Sequence, residues 1–400
     1  MPAATTTTAA SYRSLYTYPW DILDQGVARF VEDALALGMR DVTLATSYHA
    51  GKFLRPHAAS GPRVIFPEDG VVYFEPNSAG YGQIQAHPHS NPAMRAVLPQ
   101  LLADGRLRVH GWTVLLHNSR IGAEAPQYCA QNAFGDRYLY SLCPMQSAVF
   151  EYALNLCRDL SGQHALTSLV LETPGWLPYA HGYHHEFAQL ESDSWQDTLL
   201  GLCFCDACLA AAQHSGIDGV ALQQRAQQKL AQRLAHGMAS APDQAATALQ
   251  ADLLADPDLA RYIGLRQARV TQLVTAIRQA MPASTQLAVI PTVQRPTAAC
   301  WREGSDLAAL AKVADFLEIP FYEPNAARVL ADAVDVLQRV GRADQLRAIL
   351  RPGVPDLGNG AELAAALGGL QQLRLNQLAF YNYGLLPRPQ LEKLAACLRA

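Results

Sequence analysis

Charge of either sign is scarce in this chain: 31 Lys and Arg stand against 35 Asp and Glu, only 16% of residues are charged, and the net charge is -4. So dilute and balanced a charge gives no global field to steer nucleic acid or an anionic membrane surface, and neither is expected as a partner. Long hydrophobic runs are also missing, since no stretch approaches the ~20 consecutive apolar residues that span a bilayer. The opening segment 1–11 is rich in Ala and Thr, without the basic start and apolar core of an export signal. It reads as a disordered tail, and the chain as a soluble, cytoplasmic one. Cysteine is dilute, eight in 400 residues, which favours reduced thiols and a metal site over a disulfide framework. No glycine-rich phosphate or dinucleotide fingerprint occurs. Gly358-Asn359-Gly360 reads as a helix-capping turn, so no organic cofactor is expected.

What is present is apolar sequence, half of the residues, in a repeating order. Short β-branched or aromatic runs alternate with amphipathic helical stretches, the signature of βα units. Strand candidates begin near residues 14, 41, 107, 168, 287, 313, 346 and 378, and eight alternating units are what a closed (β/α)8 TIM barrel requires. One domain over 12–400 follows. After the second strand, 48–91 forms a loop-rich excursion over the barrel mouth. Within it, two apolar runs in 63–75 flank Asp69-Gly70, a strong local hairpin signal. After the fourth strand, an Ala-, Gln- and Leu-rich section, 195–280, predicts an insertion of several helices, broken near 216–219, 241–243 and 256–257. Its apolar faces either pack on the barrel or offer a surface for a partner or a second copy, as in a homo-oligomer.

Cys203-Phe-Cys205-Asp-Ala-Cys208 places three thiols within six residues. Such spacing lets thiolates converge on one ion, and Zn²⁺ takes a fourth ligand to close a tetrahedral structural site. Cys143, in Cys143-Pro144 ahead of the helix leading to the fourth strand, is the candidate, with Cys129 in reserve. The competing reading is that buried free cysteines act as small hydrophobes. Core packing is expected for Cys157, Cys300 and Cys397.

Cys143-Pro144, a helix, a strand ending in Glu172, and then Cys203, Cys205 and Cys208 together resemble the zinc-binding layout of the family 42 β-galactosidases, clan A TIM-barrel glycoside hydrolases. The resemblance covers about 107–210. It implies that the four cysteines are zinc ligands and that Glu172 is the acid/base. Two departures stand out: Leu171 occupies the family's Asn position, and 30 residues separate Glu172 from Cys203. The chain is thus similar to the clan, at a distance from that family.

In such barrels the functional residues follow the strands. After the second strand come His49, Lys52 and Arg55; after the third, His117 and Asn118; after the fourth, Glu172, Trp176, His184 and His185. Glu318, Tyr322 and Glu323 follow the sixth, Arg351 and Asp356 the seventh, and Tyr381 and Tyr383 the eighth. Aromatic rings that stack on sugar faces, mixed with groups that bond hydroxyls, point to a carbohydrate or glycoside substrate. Glycoside hydrolysis needs two carboxyl groups, one of them a proton donor with a raised pKa. Glu172, after Val170 and Leu171, has the apolar setting of the donor. The second carboxylate falls to Asp356 or Glu318, with Glu323 third. Two other readings stay open: a metal-dependent hydrolase or isomerase using mouth histidines, and a sugar-binding or scaffolding barrel without catalysis.

Overall fold

Alternating runs of β-branched residues and helix formers become eight parallel strands, in a computed structural model that describes residues 12–181 and 187–399. The strands are β1 (Arg13–Thr17), β2 (Asp41–Tyr48), β3 (Arg108–Val114), β4 (Ser168–Glu172), β5 (Gln286–Ile290), β6 (Phe316–Pro320), β7 (Leu346–Leu350) and β8 (Leu378–Phe380). Each pairs with the next, and β1 pairs with both β2 and β8, so the sheet closes and no edge of the barrel is left unpaired. This is a (β/α)8 TIM barrel with a strand-bearing excursion after β2 and a helical insertion after β4.

Strand periodicity sorts the side chains. Leu15, Val42, Leu44, Val109, Leu169, Leu171, Leu287 and Val289 join the core between sheet and helices. Their alternates, among them Tyr16, Ala45, Trp112, Val170, Ala288, Ile290 and Ile349, fill the barrel interior. Deeper in the interior the filling is polar. The Asp41 carboxylate accepts from Arg108 Nε at 2.7 Å and lies 2.9 Å from His110 Nε2. Glu318 accepts from Tyr12 and Tyr16 hydroxyls at 2.6 and 2.9 Å and faces Arg347 at 3.4 Å. Buried charges persist only when paired in this way.

The helices follow their sequence signals. In Ala326–Val340 the buried apolar positions are Ala326, Val329, Ala333 and Val336, one face of a 3.6-residue repeat that also carries the buried Asp332. Each valine there contributes about 1.5–3 kcal/mol on full burial, and each smaller alanine less. Asn325 caps the helix by accepting from Arg328 N at 3.0 Å, and Gly341 ends it at φ +76°. The amphipathic stretch before β2 divides into Pro19–Gln25 and Val27–Ala36, because Gly26 takes φ +83° between them.

The excursion corrects one strand pairing. The runs on either side of Asp69-Gly70 do not pair with each other: Val64–Ile65 pairs with Phe53–Leu54, while Val71–Val72 adds antiparallel to the end of β2 and parallel to His87–Pro88. A turn does form, since Gly70 has φ +61° and Asp69 accepts from Ala50 N at 3.0 Å. The end of β2 extends past its neighbours with unpaired backbone groups, and it captures the second run.

After β3 the chain builds another hairpin, Cys129–Gln131 against Arg137–Leu142. After β4 come the helices Ser194–Leu200, Asp206–His214, Gly219–His236 and Pro242–Ala255, and then Pro257–Ala280, which packs on the helices Ser147–Gln163 and Leu307–Val313 as part of the barrel's outer ring. The breaks fall close to the Gly- and Pro-marked positions. No described helix is long and apolar enough to cross a membrane.

Candidate active site at the barrel mouth

The C-terminal ends of the strands surround a cavity of about 550 Å³. Its wall includes Tyr16, Tyr48, His49, Trp112, Glu172, His181, Thr292, Gln294, Arg295, Arg302, Tyr322, Arg351 and Tyr381. Glu172 is the carboxylate of this lining. It ends β4 on the interior face, and Trp112 Nε1 on β3 donates to its Oε2. Among the described residues no cation pairs with it. Burial pushes its pKa up to about 7, against the opposing pull of the Trp112 hydrogen bond. A carboxyl group in this state holds a proton near neutrality and can deliver it.

The backbone after Glu172 is constrained. Thr173 takes φ +55°, a left-handed conformation rare outside glycine and often found beside functional groups. Gly175 then passes so close to the loop after β5 that a Cβ would stand 1.9 Å from the Glu303 carbonyl oxygen. That same oxygen accepts from Trp176 N at 3.1 Å. Glu303 itself is buried and accepts from Thr292 Oγ1 and, at 3.1 Å, from Val293 N. Burial raises its carboxyl to about 8, and the nearby Glu172 charge adds to the shift. Asp197, from the insertion, accepts from Ala180 N at 2.7 Å and Gln294 Nε2 at 3.3 Å, fixing two further parts of the wall.

Aromatic rings make up much of the remaining wall. Tyr18 Oη lies 2.8 Å from Tyr381 Oη and donates to Tyr48 Oη at 3.1 Å, while Trp112 meets Tyr16 edge-on at 5.1 Å. Arg351 lies 4.5 Å over the Tyr322 ring.

Of the residues singled out from sequence, His49, Glu172, Tyr322, Arg351 and Tyr381 line the cavity. His117 lies just behind, its ring 3.8 Å from that of His49. Asp356 stands behind the lining as well, accepting from Arg351 Nε at 2.5 Å and Arg295 Nη1 at 3.0 Å. Glu318 belongs to the polar layer below, and Glu323 pairs with Arg328 at 2.6 Å. Arg55 is bound to Asp21 and Asp24 at 2.8 and 2.9 Å. Asn118 caps the helix Ser119–Glu124, accepting from Ile121 N at 2.9 Å. Trp176 is buried under Arg266, and the Tyr383 hydroxyl donates to Asp33 at 3.0 Å. Lys52 is exposed to solvent. His184 and His185 lie outside the described residues. Sequence reasoning did not single out Tyr16, Tyr48, Thr292, Gln294, Arg295, Arg302, Glu303 or Asp197.

Beside the mouth, Cys143, Cys203, Cys205 and Cys208 converge, their sulfurs all within 4.8 Å of one another. Cys143 Sγ lies 3.5 Å from Cys208 Sγ and 3.7 Å from those of Cys203 and Cys205. Thiolates around an ion at ~2.3 Å in tetrahedral array would be ~3.8 Å apart, so the cage fits a metal ion. Gln131 N donates to Cys203 Sγ at 3.3 Å, and the buried Arg266 and half-buried Arg269 lie close enough for ionised cysteines to favour their charged forms. Cys129 stays apart, next to Gly122 O at 3.7 Å. Among the described residues this is the one group of three or more side chains able to share an ion.

No protein-family model and no curated protein matches this chain. Among solved structures it resembles the glycoside hydrolase domain of PgaB (BpsB) from Bordetella bronchiseptica, with TM-score 0.60 and 15% identity over 96% of this chain and 98% of that one. It also resembles a β-galactosidase from the psychrophilic Marinomonas ef1, with TM-score 0.55 and 10% identity over 97% of this chain and 59% of that one. These likenesses show the fold, a (β/α)8 barrel like those of these glycoside hydrolases. Identities this low assign the chain to no family, family 42 included. A third neighbour, α-L-fucosidase isoenzyme 2 from Paenibacillus thiaminolyticus, has TM-score 0.51 at 12% identity, covering 98% of this chain and 49% of that one.

Proposed function

We propose that this barrel hydrolyses an O-glycosidic bond, with Glu172 as the general acid/base. The observation that carries the reading is Glu172 itself: a carboxyl at a strand's C-terminal end, in a cavity walled by aromatic rings and hydroxyl-binding groups, with a pKa raised to about 7. Such a group protonates a leaving oxygen as the glycosidic bond lengthens, and afterwards accepts a proton from the attacking water. The guanidiniums of Arg295, Arg302 and Arg351 and the rings of Tyr322 and Tyr381 would hold and orient the sugar.

Asp356 is the second carboxylate of the proposal, with Glu318 the alternative. Asp356 holds two cavity-lining arginines, and a sugar hydroxyl that takes over one of them would free a carboxylate oxygen toward the ring. Glu318 is fixed by Tyr12, Tyr16 and Arg347. The test is turnover on a panel of 4-nitrophenyl glycosides. Glu172→Gln should lose about 10²-fold or more in kcat. Azide should restore turnover to Asp356→Asn if that carboxylate attacks the sugar. Full activity in Glu172→Gln would overturn the assignment.

We also infer that the four-cysteine cage holds zinc in a structural role. Four thiolates and Zn²⁺ carry a net charge of about -2 and leave no open position for substrate. Arg266, 2% exposed and without a carboxylate partner among the described residues, supplies compensating charge. The cage would join the hairpin after β3 to the start of the insertion.

A further inference from the structure

The wall of the Glu172 cavity carries more positive charge than the carboxylates touching it can answer. Among its described lining residues Arg295, Arg302 and Arg351 are the permanent cations, and Glu172, which holds a proton up to about pH 7, is the one carboxyl. The chain as a whole has a net charge of -4, so this concentration of arginine is local. Behind the lining, Asp356 is shared, its Oδ1 accepting from Arg295 and its Oδ2 from Arg351. One carboxylate thus serves two guanidiniums. Among the described residues none comes within ion-pair distance of the third.

That third guanidinium, Arg302, is poorly compensated. Its Nη1 donates to Gln294 Oε1 at 3.4 Å, its Nε is closed off from solvent without an acceptor, and it lies 5.6 Å from the centre of the Trp301 ring. Burial lowers its pKa, opposed by the charges of Asp197 and Glu303. Gln294 bridges Arg302 to Asp197, since its Nε2 donates to that carboxylate at 3.3 Å. Glu303 is taken up by Thr292 and Val293 and stays mostly protonated below about pH 8. Arg351 has its Nε on Asp356 and its plane over the Tyr322 ring, and its Nη1 and Nη2 make no hydrogen bond among the described residues.

Charge in this state decides what can lie over it. A neutral sugar seated in the cavity would strip water from the guanidiniums and return only hydroxyl contacts. A carboxylate returns the charge as well, with two acceptors in the plane that a guanidinium fork requires. Asp356 already shows two of these arginines sharing a carboxylate, one on each oxygen. We propose that the glycoside bound in this cavity is anionic, a sugar whose ring carries a carboxylate as in a uronic acid, with Arg302 and the Nη atoms of Arg351 as the groups that select it. Cleavage of such a sugar rests on the hydrolase reading; selection of the anion does not.

The test titrates the full chain carrying Glu172→Gln, by calorimetry, with both anomers of 4-nitrophenyl glucuronide and galacturonide and with the matching glucosides and galactosides. At least one uronide should bind about 10-fold or more tightly than its neutral counterpart, and the preference should shrink as salt is raised toward about 0.5 M. Arg302→Gln should weaken that uronide about 10-fold and leave the neutral glycoside within about twofold. Arg302→Lys, which keeps a cation at the position, should bind the uronide at least about threefold more tightly than Arg302→Gln, separating lost charge from misfolding. Equal affinity for a uronide and its neutral partner, or a uronide affinity unmoved by Arg302→Gln, overturns the anion site, as does no binding of any uronide. Tighter binding of a 6-sulfated glucoside than of the glucuronide would overturn the carboxylate in favour of sulfate. A uronide selected through Arg302 but left uncleaved by the unmodified chain would keep the anion site and overturn the hydrolase reading. Turnover of a neutral glycoside ahead of its uronide would do the reverse.

Discussion

Trp112 and Glu172 lie on adjacent strands, two residues out of register. Trp112 sits opposite Val170, so its indole reaches along the interior wall to the carboxylate one layer nearer the mouth. The hydrogen bond stabilises the ionised carboxylate and partly offsets the effect of burial. Trp112→Phe removes that donor and should raise the Glu172 pKa further. Because Glu172 donates its proton only below its pKa, the alkaline limb of kcat/KM, expected near pH 7, should move to higher pH. Turnover should fall by about tenfold or less. An unmoved alkaline limb in a pH–rate profile would remove Glu172 from the titrating role.

Glu303 shows the same physics in a place that need not touch substrate. Its folded pKa is raised to about 8, above the ~4.3 of an unfolded chain. The stability it contributes is therefore fully present below about pH 4 and is lost as pH rises through about 8. Thermal unfolding of the parent should weaken between pH 6 and 9 relative to Glu303→Gln, with a difference in Tm that widens by at least about 2 °C across that range. Parallel curves would show that Glu303 is already ionised in the folded protein across this range, its pKa not raised.

The alternative carboxylates separate by stability. Glu318 is fully buried against Arg347, so Glu318→Gln leaves a buried guanidinium without its counter-charge. A cost of about 3 kcal/mol in urea unfolding is expected. A loss of turnover without loss of stability would instead favour direct participation by Glu318.

For the metal centre, Cys205→Ser should abolish the release of about one zinc ion per chain, measured with a colorimetric chelator after thiol modification. It should also lower Tm by several degrees and open the helices after β4 to protease. Freshly purified, reduced protein without zinc would overturn the assignment.

The barrel was legible because each strand is a β-branched or aromatic run bounded by breakers, and because helices such as Ala326–Val340 carry their caps in sequence. The cysteine cage was legible for a chemical reason, since three thiols so closely spaced need a fourth. Asp69-Gly70 misled because the turn is local while strand pairing is a competition, won by the end of β2. Tyr16 and Thr292 to Arg302 were open to the same strand-end reasoning that found Tyr322 and Tyr381, applied to β1 and β5. Glu303 and Asp197 were not, because only tertiary packing brings them to the mouth. Arg55, Trp176 and Tyr383 illustrate the converse: polar or aromatic residues near strand ends that ion pairs and packing have already claimed.

Cys143 and Cys203 face each other across 60 positions of sequence that include the whole of β4. An ion gripping both turns that stretch into a ring, so the strand ending in Glu172 can leave the sheet only as part of a closed loop with far fewer conformations to gain. Loaded with metal, the cage would act on the unfolding of the Glu172 strand as a knot acts on a cord, without touching the mouth: the supply of metal would set how long this barrel wall lasts.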